Sequence, residues 1–272
     1  MHKMLLVSKY TAIRQLVSSH LLRVLSIYAS EKKISKVPES GIALYKSREI
    51  CKVLYISGVA PSLAKVYQIS ASAIANQVVS HFCDFGESFR VKVVPPAWIH
   101  IEVVDCVIAD WLESLVSETN PFFQASTNPY SFTPALSYLF PIQYAYARCC
   151  SLLRLAKHEG ITLFDEVRQI PWLDSQAKLC LNDAASQSLI AKLIAVVDDL
   201  VCVNIASASH WHSKARSLSQ AFERFWSHNC IWGEVKVFPE LAHARFGLIL
   251  ATQKILRFLL EDKLGIIALS EL

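Results

Sequence analysis

Hydrophobic residues recur at helical spacing between residues 142 and 156, which predicts a helix with one buried face. The buried positions are Ile142, Ala145, Tyr146, Cys149, Leu152, Leu153 and Ala156. Gln143, Tyr144, Arg148 and Arg154 lie off this stripe. The core does not require them, so they form a polar and aromatic seam that is available for another role.

Three further helices follow this one. The second is predicted at about 186–208, and the last at about 239–263. Between them, a third helix carries Ala215, Leu218, Phe222, Phe225 and Trp226 on one face. Four helices with long apolar stripes predict a helical bundle.

The first part of the chain mixes helices and strands. Residues 10–29 read as a helix, "ALYKSREICKVLYIS" has the β-branched and aromatic residues of strands, and "SLAKVYQISASAIANQVVSHF" reads as one or two short helices. Apolar residues alternate from Val91 to Val103 around Pro95 and Pro96, which predicts a hairpin or two strand segments with a turn. "CVIADWLESLV" closes the segment as a helix.

These elements predict an α+β fold with two domains. A small mixed domain occupies residues 1–118, and an all-α bundle occupies residues 136–272. Residues 119–135 hold three prolines among Ser, Thr and Asn, which is typical of a linker.

Composition favours a folded protein with a large core and an apolar partner surface, because 53% of residues are hydrophobic and only 18% are charged. No apolar run reaches the roughly 18 residues that span a bilayer, and the first residues are too weakly apolar for a signal peptide. We therefore expect a cytoplasmic protein without a membrane span.

Charge is distributed unevenly along the chain. The net charge is only +4, yet the first fifty residues hold nine Lys or Arg against three Glu. A basic segment suits an anionic partner, although an ordinary solvated helix face explains it equally.

The eight cysteines form no C-x-x-C pair, so we expect reduced, mostly buried thiols. The "HWH" at residues 210–212 opens a predicted helix, where the two histidines diverge, and no metal site is expected.

Three motifs of the helical part resemble the DALR-type anticodon-binding domain of arginyl-tRNA synthetases. "QYAYAR" is similar to the family's Gln-Tyr-Ala-His-Ala-Arg, with Tyr146 in place of His. "AFERFW" is similar to Ala-Phe-Asn-Arg-Phe-Tyr, with Glu223 in place of Asn. "ARFGLILATQKILRFLLEDKLGI" resembles the family's final helix.

A second resemblance concerns the first domain. "VKVVPPAWIHIEV" aligns with a strand of the same enzymes' N-terminal domain, which holds the outer corner of the tRNA. The family's D-loop contacts, Phe and Asn, correspond to Trp98 and His100. The resemblance implies that Trp98 stacks on an unstacked base and that His100 hydrogen-bonds one. The alternative is that Trp98 is a buried residue of the sheet.

The catalytic signature of these enzymes is missing from the sequence. There is no His-x-Gly-His, and seven glycines leave no phosphate-binding loop. "KKISK" at residues 32–36 imitates an ATP loop, but it lies in the N-terminal segment. We expect no enzyme activity, no catalytic residues and no nucleotide or other cofactor.

Two functions remain open. The first is a non-catalytic tRNA-binding paralogue of arginyl-tRNA synthetase, whose candidate RNA-binding residues are Trp98, His100, Gln143, Tyr144, Arg148, Arg224, Trp226 and Arg245. The second is an adaptor or structural subunit that kept the fold, lost RNA binding and binds a protein through an apolar surface. Two departures from the family weaken simple tRNA binding, and the second of them also supports the adaptor. Pro95, Pro96 and Ala97 replace its Gly-Pro-Gly, and Glu271 replaces an Arg near the anticodon.

Overall fold

The structure, a computed structural model, describes residues 12–32, 43–49, 52–83, 87–117, 138–161, 170–202, 207–229, 231–234 and 237–272. It divides into two compact units, residues 1–108 and 109–272, and the division falls within one helix, Asp105–Val116. The predicted linker at 119–135 lies outside the described residues, so the predicted domain limits stay a prediction.

Unit 1 contains a four-stranded antiparallel sheet with helices. In chain order its elements are α1 (Ile13–Lys32), β1 (Leu44–Lys46), β2 (Leu54–Ser57), α2 (Val59–Tyr67), α3 (Ala71–Cys83), β3 (Phe89–Val94), β4 (Trp98–Val103) and the start of α4 (Asp105–Val116). The strands lie in the order β1-β2-β4-β3. The predicted hairpin is confirmed, because β3 and β4 pair from Phe89 and Val103 to Val94 and Trp98.

The alternation along β4 decides which face of the sheet is the core. Ile99, Ile101 and Val103 are at most 2% exposed, whereas the residues between them are half-buried. Phe89 lies on the core face opposite Val103, and its ring packs edge-on against His20 of α1 and Phe82 of α3. Trp98, His100 and Glu102 therefore lie on the other face.

The turn between β3 and β4 keeps a backbone conformation that favours glycine. The Pro95–Pro96 peptide bond is cis, and Ala97 has φ of 114°. Only glycine adopts such a φ without strain. Ala97 is buried and donates its N–H to the carbonyl of Val94 at 3.0 Å. The turn therefore pairs Trp98 with Val94, although it contains no glycine.

Unit 2 is helical within its described residues. After the rest of α4 it contains α5 (Phe140–His158), α6 (Ala184–Cys202), α7 (Ala208–His228), the short α8 (Ile231–Glu234) and α9 (Pro239–Phe258), which continues as a π-helical turn (Leu259–Lys263). The predicted α+β fold with a helical second part is confirmed. The predicted second helix is shorter than expected, because Ser207 caps the next one by accepting a hydrogen bond from the N–H of His210.

A tryptophan from the segment before α6 packs into the helical unit. Trp172 is buried and donates its indole N–H to Glu113 of α4 at 2.7 Å. Its ring lies against Gly247 in α9, where an added Cβ would come within 2.6 Å of it. This close approach explains a glycine in the middle of a long helix.

Across the residues that the structure describes, every helix is too short or too polar to cross a membrane.

Candidate nucleic-acid interface

Helix α5 carries two exposed aromatic residues one turn apart. Phe140 is 52% exposed and Tyr144 is 45% exposed. Their rings stack, with centroids 6.0 Å apart and planes inclined by 24°. Residues four apart share one face of a helix, so Arg148 continues the same line along α5.

Arg148 joins this line to helix α7. Its guanidinium carbon lies 4.9 Å from the ring centroid of Trp226, which is a cation–π arrangement. Its Nε is buried and has no hydrogen-bond partner among the described residues. Phe140, Tyr144, Arg148 and Trp226 are called the aromatic stripe below. Its flat rings and fixed cation are suited to stacking with bases and to holding a phosphate.

A further ring pair begins two residues before Phe140, and the sequence did not predict it. Tyr138 is 53% exposed, and its ring meets His212 edge-on, with centroids 5.1 Å apart. His212 Nε2 also lies 3.3 Å from the carbonyl of Tyr138. Phe140 was missed as well, although its spacing of four from Tyr144 is a usable signal. The pairing of Tyr138 with His212 joins distant segments, and no sequence pattern marks it.

The side chain of Gln143 is used inside the fold. It is only 5% exposed, donates its side-chain amide to the carbonyl of Ile267 at 2.7 Å, and accepts the N–H of Leu269 at 3.1 Å. Both polar atoms of this amide are thus used to hold residues 267–269 against α5. This geometry argues against a direct contact between Gln143 and RNA.

The same C-terminal segment also contacts a second basic residue of α5, Arg154. Arg154 lies 3.3 Å from the carboxylate of Glu271 and donates a hydrogen bond to the carbonyl of Ser270 at 3.4 Å. Glu271, which stands where the resembling family has Arg, therefore pairs within its own chain. Both side chains are more than half exposed, so this ion pair contributes little to stability.

Tyr146, which replaces the family's His, faces the core. It is 5% exposed, and its hydroxyl accepts a hydrogen bond from the side-chain amide of Gln253 in α9 at 3.3 Å. Burial raises the pKa of this hydroxyl above its ordinary value. Tyr146 joins α5 to α9 and does not extend the aromatic stripe.

The two remaining arginine candidates differ in their surroundings. Arg224 is exposed on α7, two residues before Trp226. Arg245 is only 6% exposed within α9, where its charge helps to lower the pKa of Asp183. A guanidinium that is buried within a helix of the core belongs to the fold. The structure therefore favours Arg224 over Arg245 as a phosphate contact.

In unit 1, Trp98 and His100 lie on the face of the sheet opposite the core. Both are half-buried, and they are two residues apart on β4, about 7 Å along the strand. The six-membered ring of Trp98 lies over Gly58, 3.4 Å from the position of an added Cβ. Trp98 is thus neither fully exposed nor a core residue, and part of its ring is accessible.

The "HWH" sequence lies in the first turn of α7, and its side chains diverge. His210 Nε2 is 3.6 Å from Asp199, Trp211 is buried, and His212 meets Tyr138. Within the described part of the chain, no group of three or more His, Cys, Asp or Glu side chains is placed to hold a metal ion.

Comparison with known proteins adds a relationship for the helical unit. Residues 142–272 match a family model described as the DALR anticodon binding domain. The arginine–tRNA ligase of Synechococcus sp. (strain JA-3-3Ab) is 32% identical over 129 residues, which are 47% of this chain and 21% of the ligase. That of Gloeobacter violaceus is 27% identical over 121 residues, 43% of this chain and 20% of the ligase.

A third relative, the arginine–tRNA ligase of Pelodictyon phaeoclathratiforme, is 32% identical over 124 residues, 44% of this chain and 20% of the ligase. The chain thus matches about a fifth of the length of each ligase. No solved structure matches the chain significantly. These matches show that the C-terminal part of the chain is similar to a DALR anticodon binding domain and to arginine–tRNA ligases.

Proposed function

We propose that the chain is a non-catalytic tRNA-binding protein derived from arginyl-tRNA synthetase. The observation that carries this proposal is the aromatic stripe, which lies within or next to the residues that match the anticodon binding domain. Bases of an anticodon loop are unpaired, and they can stack on exposed rings such as Tyr144. Arg148, held flat on Trp226, supplies a positive charge beside those rings.

The proposed lack of catalysis rests on the sequence. Only residues 117–139 lie between α4 and α5. This segment is too short for a nucleotide-binding domain. The proposed function needs no nucleotide cofactor. The proposed location is the cytoplasm.

A second candidate function, an adaptor that binds another protein, is favoured by the apolar surface of unit 2. Besides the exposed rings of Tyr138, Phe140 and Tyr144, the C-terminal segment exposes Ile267, Leu269 and Leu272. The pairing of Arg154 with Glu271 also removes a cation from any RNA surface. This alternative expects binding through apolar area and not through phosphate contacts.

Replacing Tyr144 by alanine tests the RNA-binding proposal. We expect tRNA affinity to fall by about 5- to 150-fold, the equivalent of about 1–3 kcal/mol for one base–aromatic stack. Tyr144→Phe should bind almost as the native chain does, because it keeps the ring. Retention of labelled bulk tRNA on a filter measures the affinities.

Leu155→Ala is the matched control for Tyr144→Ala. Leu155 lies on the same helix and is similarly exposed, at 44%. We expect it to leave tRNA binding unchanged. Equal binding by Tyr144→Ala and the native chain, with both folded by circular dichroism, would contradict a stacking role for α5.

The absence of catalysis is tested separately. We expect no arginine-dependent exchange of pyrophosphate into ATP above background, with tRNA present, because the sequence holds neither His-x-Gly-His nor a phosphate-binding loop. An intact arginyl-tRNA synthetase in the same assay is the positive control. Exchange that requires arginine and persists through purification would refute the non-catalytic part of the proposal.

A further inference from the structure

The sheet of unit 1 ends in two edge strands of different length, β1 and β3. β1 has only three residues, and Arg14 of α1 donates a hydrogen bond from its guanidinium to the carbonyl of Leu44 at 3.3 Å. Natural proteins protect sheet edges by such short strands and by side chains that cover them. β3 has six residues, so it is the edge with room for another strand.

The backbone hydrogen bonds of β4 decide which groups of β3 face outward. Val103 donates its N–H to the carbonyl of Val53 at 2.9 Å, so every second residue of β4 counted back from Val103 bonds towards β2. The residues between them bond to β3, where their partners are Arg90, Lys92 and Val94. The backbone groups that point to the open side of the sheet belong to Phe89, Val91 and Val93. Among the residues that the structure describes, these groups have no hydrogen-bond partner.

The side chains along β3 alternate between an apolar and a basic side. Phe89, Val91 and Val93 lie on the core side of the sheet and are half-buried. Arg90 and Lys92 lie on the opposite side and are exposed, and 61% of the Arg90 side chain is accessible. A strand added here would therefore place every second side chain beside an apolar residue and the side chains between them beside the two cations. The outward backbone groups and these five side chains are called the β3 edge below.

The charge of the β3 edge disfavours a second copy of the chain and favours an acidic partner. Two copies of β3 paired antiparallel would bring four cations onto one face, and like charges directly opposite each other destabilise a sheet. The carboxylate of Glu102 is already shared by Arg90 and Lys52, with nitrogen–oxygen distances of 3.2 and 3.3 Å. Lys92 adds a further positive charge. Acidic side chains opposite Arg90 and Lys92 are thus the electrostatic complement of this edge.

We infer that the β3 edge binds an extended acidic peptide of a partner protein, which adds a fifth strand antiparallel to β3. The peptide carries two acidic residues, separated by one residue, opposite Arg90 and Lys92. Its apolar residues exchange backbone hydrogen bonds with β3, and the residue between the two acids lies opposite Val91. Backbone hydrogen bonds give such a complex its affinity, and the alternating side chains give it specificity. This inference goes beyond the proposed RNA binding and does not depend on it.

The experiment uses the full chain and a fluorescein-labelled peptide with blocked ends, Val-Glu-Val-Glu-Val flanked by glycines. Fluorescence anisotropy measures its affinity. We expect the peptide to bind, and we expect the same peptide with Lys in place of both Glu to bind at least about tenfold more weakly, because its cations then lie opposite those of β3.

Methylation of peptide nitrogens separates strand addition from a general attraction of charges. In the antiparallel register, the central Val directs its N–H to β3, whereas both Glu direct theirs away from it. N-methylation of the central Val should therefore weaken binding at least about tenfold, since it removes a hydrogen bond and places a methyl group between the strands. N-methylation of either Glu should leave the affinity nearly unchanged.

A charge reversal in the chain locates the binding site. Lys92→Glu should weaken binding of the Glu peptide about tenfold and should strengthen binding of the Lys peptide, a gain that a damaged fold does not produce. Lys92 is exposed, so its replacement should leave the fold intact. Lys65→Glu is the matched control, because it makes the same charge change on an exposed position of α2. It should leave both affinities unchanged.

Several outcomes would overturn the inference. They include no binding of the Glu peptide, equal binding of the Glu and Lys peptides, and equal effects of methylation at Val and at Glu. Hydrogen exchange of the Val91 and Val93 amides tests the other occupants. Protection in the free monomer would mean that the chain covers its own edge, and protection only in a dimer would mean that a second copy does. Fast exchange in the free chain that slows when the Glu peptide is added would support the inference.

Discussion

Raising the salt concentration from about 50 to about 200 mM should weaken tRNA binding about 30-fold. Each phosphate that a cation neutralises releases counterions, which contributes about −0.7 to −0.9 to the slope of log affinity against log salt. Arg224 and Arg148 in unit 2, with the exposed Lys92 in unit 1, offer about three such contacts, which give a slope near −2.5. Filter retention across a salt series measures this slope.

Individual arginines should change this slope in a predictable way. Arg224 is exposed, and Arg224→Ala should make the slope shallower by about one. Arg257→Ala is the matched control, because the Arg257 guanidinium already pairs with Glu261 at 2.8 Å. An adaptor that binds through apolar area would show little salt dependence with its own partner. No tRNA binding even at low salt would leave the adaptor as the better account of the chain.

The sequence predicts elements better than it predicts the surroundings of single polar residues. The alternation around Pro95 and Pro96 identifies the hairpin, because a half-buried strand must place every second side chain on the core. The period of the α5 stripe likewise identifies its buried face, which contains Ile142, Ala145 and Cys149. Both patterns are local consequences of backbone geometry.

Gln143 and Arg245 show where this reasoning stops. Both are polar residues in otherwise apolar helices, so each was predicted to contact RNA. The structure buries Gln143 against the backbone of residues 267–269 and places Arg245 near Asp183. These partners are distant in the sequence, and periodicity contains no information about them. A buried polar residue and a binding residue therefore give the same pattern.

Replacing Asp183 by alanine should lower the free energy of unfolding by about 1–2 kcal/mol. Asp183 immediately precedes α6 and accepts hydrogen bonds from the backbone N–H groups of Ala185 and Ser186, at 3.1 and 2.9 Å. It also accepts one from the hydroxyl of Ser186 at 2.5 Å. Losing such a helix cap alone costs about 1 kcal/mol.

Arg245 adds a smaller electrostatic contribution, because its charge helps to lower the pKa of the Asp183 carboxyl. Asp199→Ala on the same helix is the matched control. Asp199 pairs with Lys214, whose side chain is 32% exposed, so its loss should cost about 1 kcal/mol or less. Urea denaturation measures both changes.

The dependence on pH gives an independent test of the same carboxylate. Burial by itself would raise the pKa of Asp183, but the hydrogen bonds from Ser186 and the charge of Arg245 outweigh it, and the pKa lies below its ordinary value. The ionised form is thus favoured in the folded state. Its contribution to stability is complete above the unfolded pKa of about 3.9 and is lost as the pH falls through the folded value.

The difference in stability between the native chain and Asp183→Asn should therefore be constant near neutral pH and should shrink below about pH 4, because the protonated carboxyl resembles the neutral amide. Urea denaturation of both proteins at a series of pH values measures this difference. Asp199→Asn, compared at neutral pH, is the control and should show only a small difference from the native chain, as expected for a partly exposed ion pair. A difference for Asp183→Asn that stays the same from neutral to acid pH would mean that ionisation of Asp183 does not stabilise the fold, and that its loss acts only through the geometry of the α6 cap.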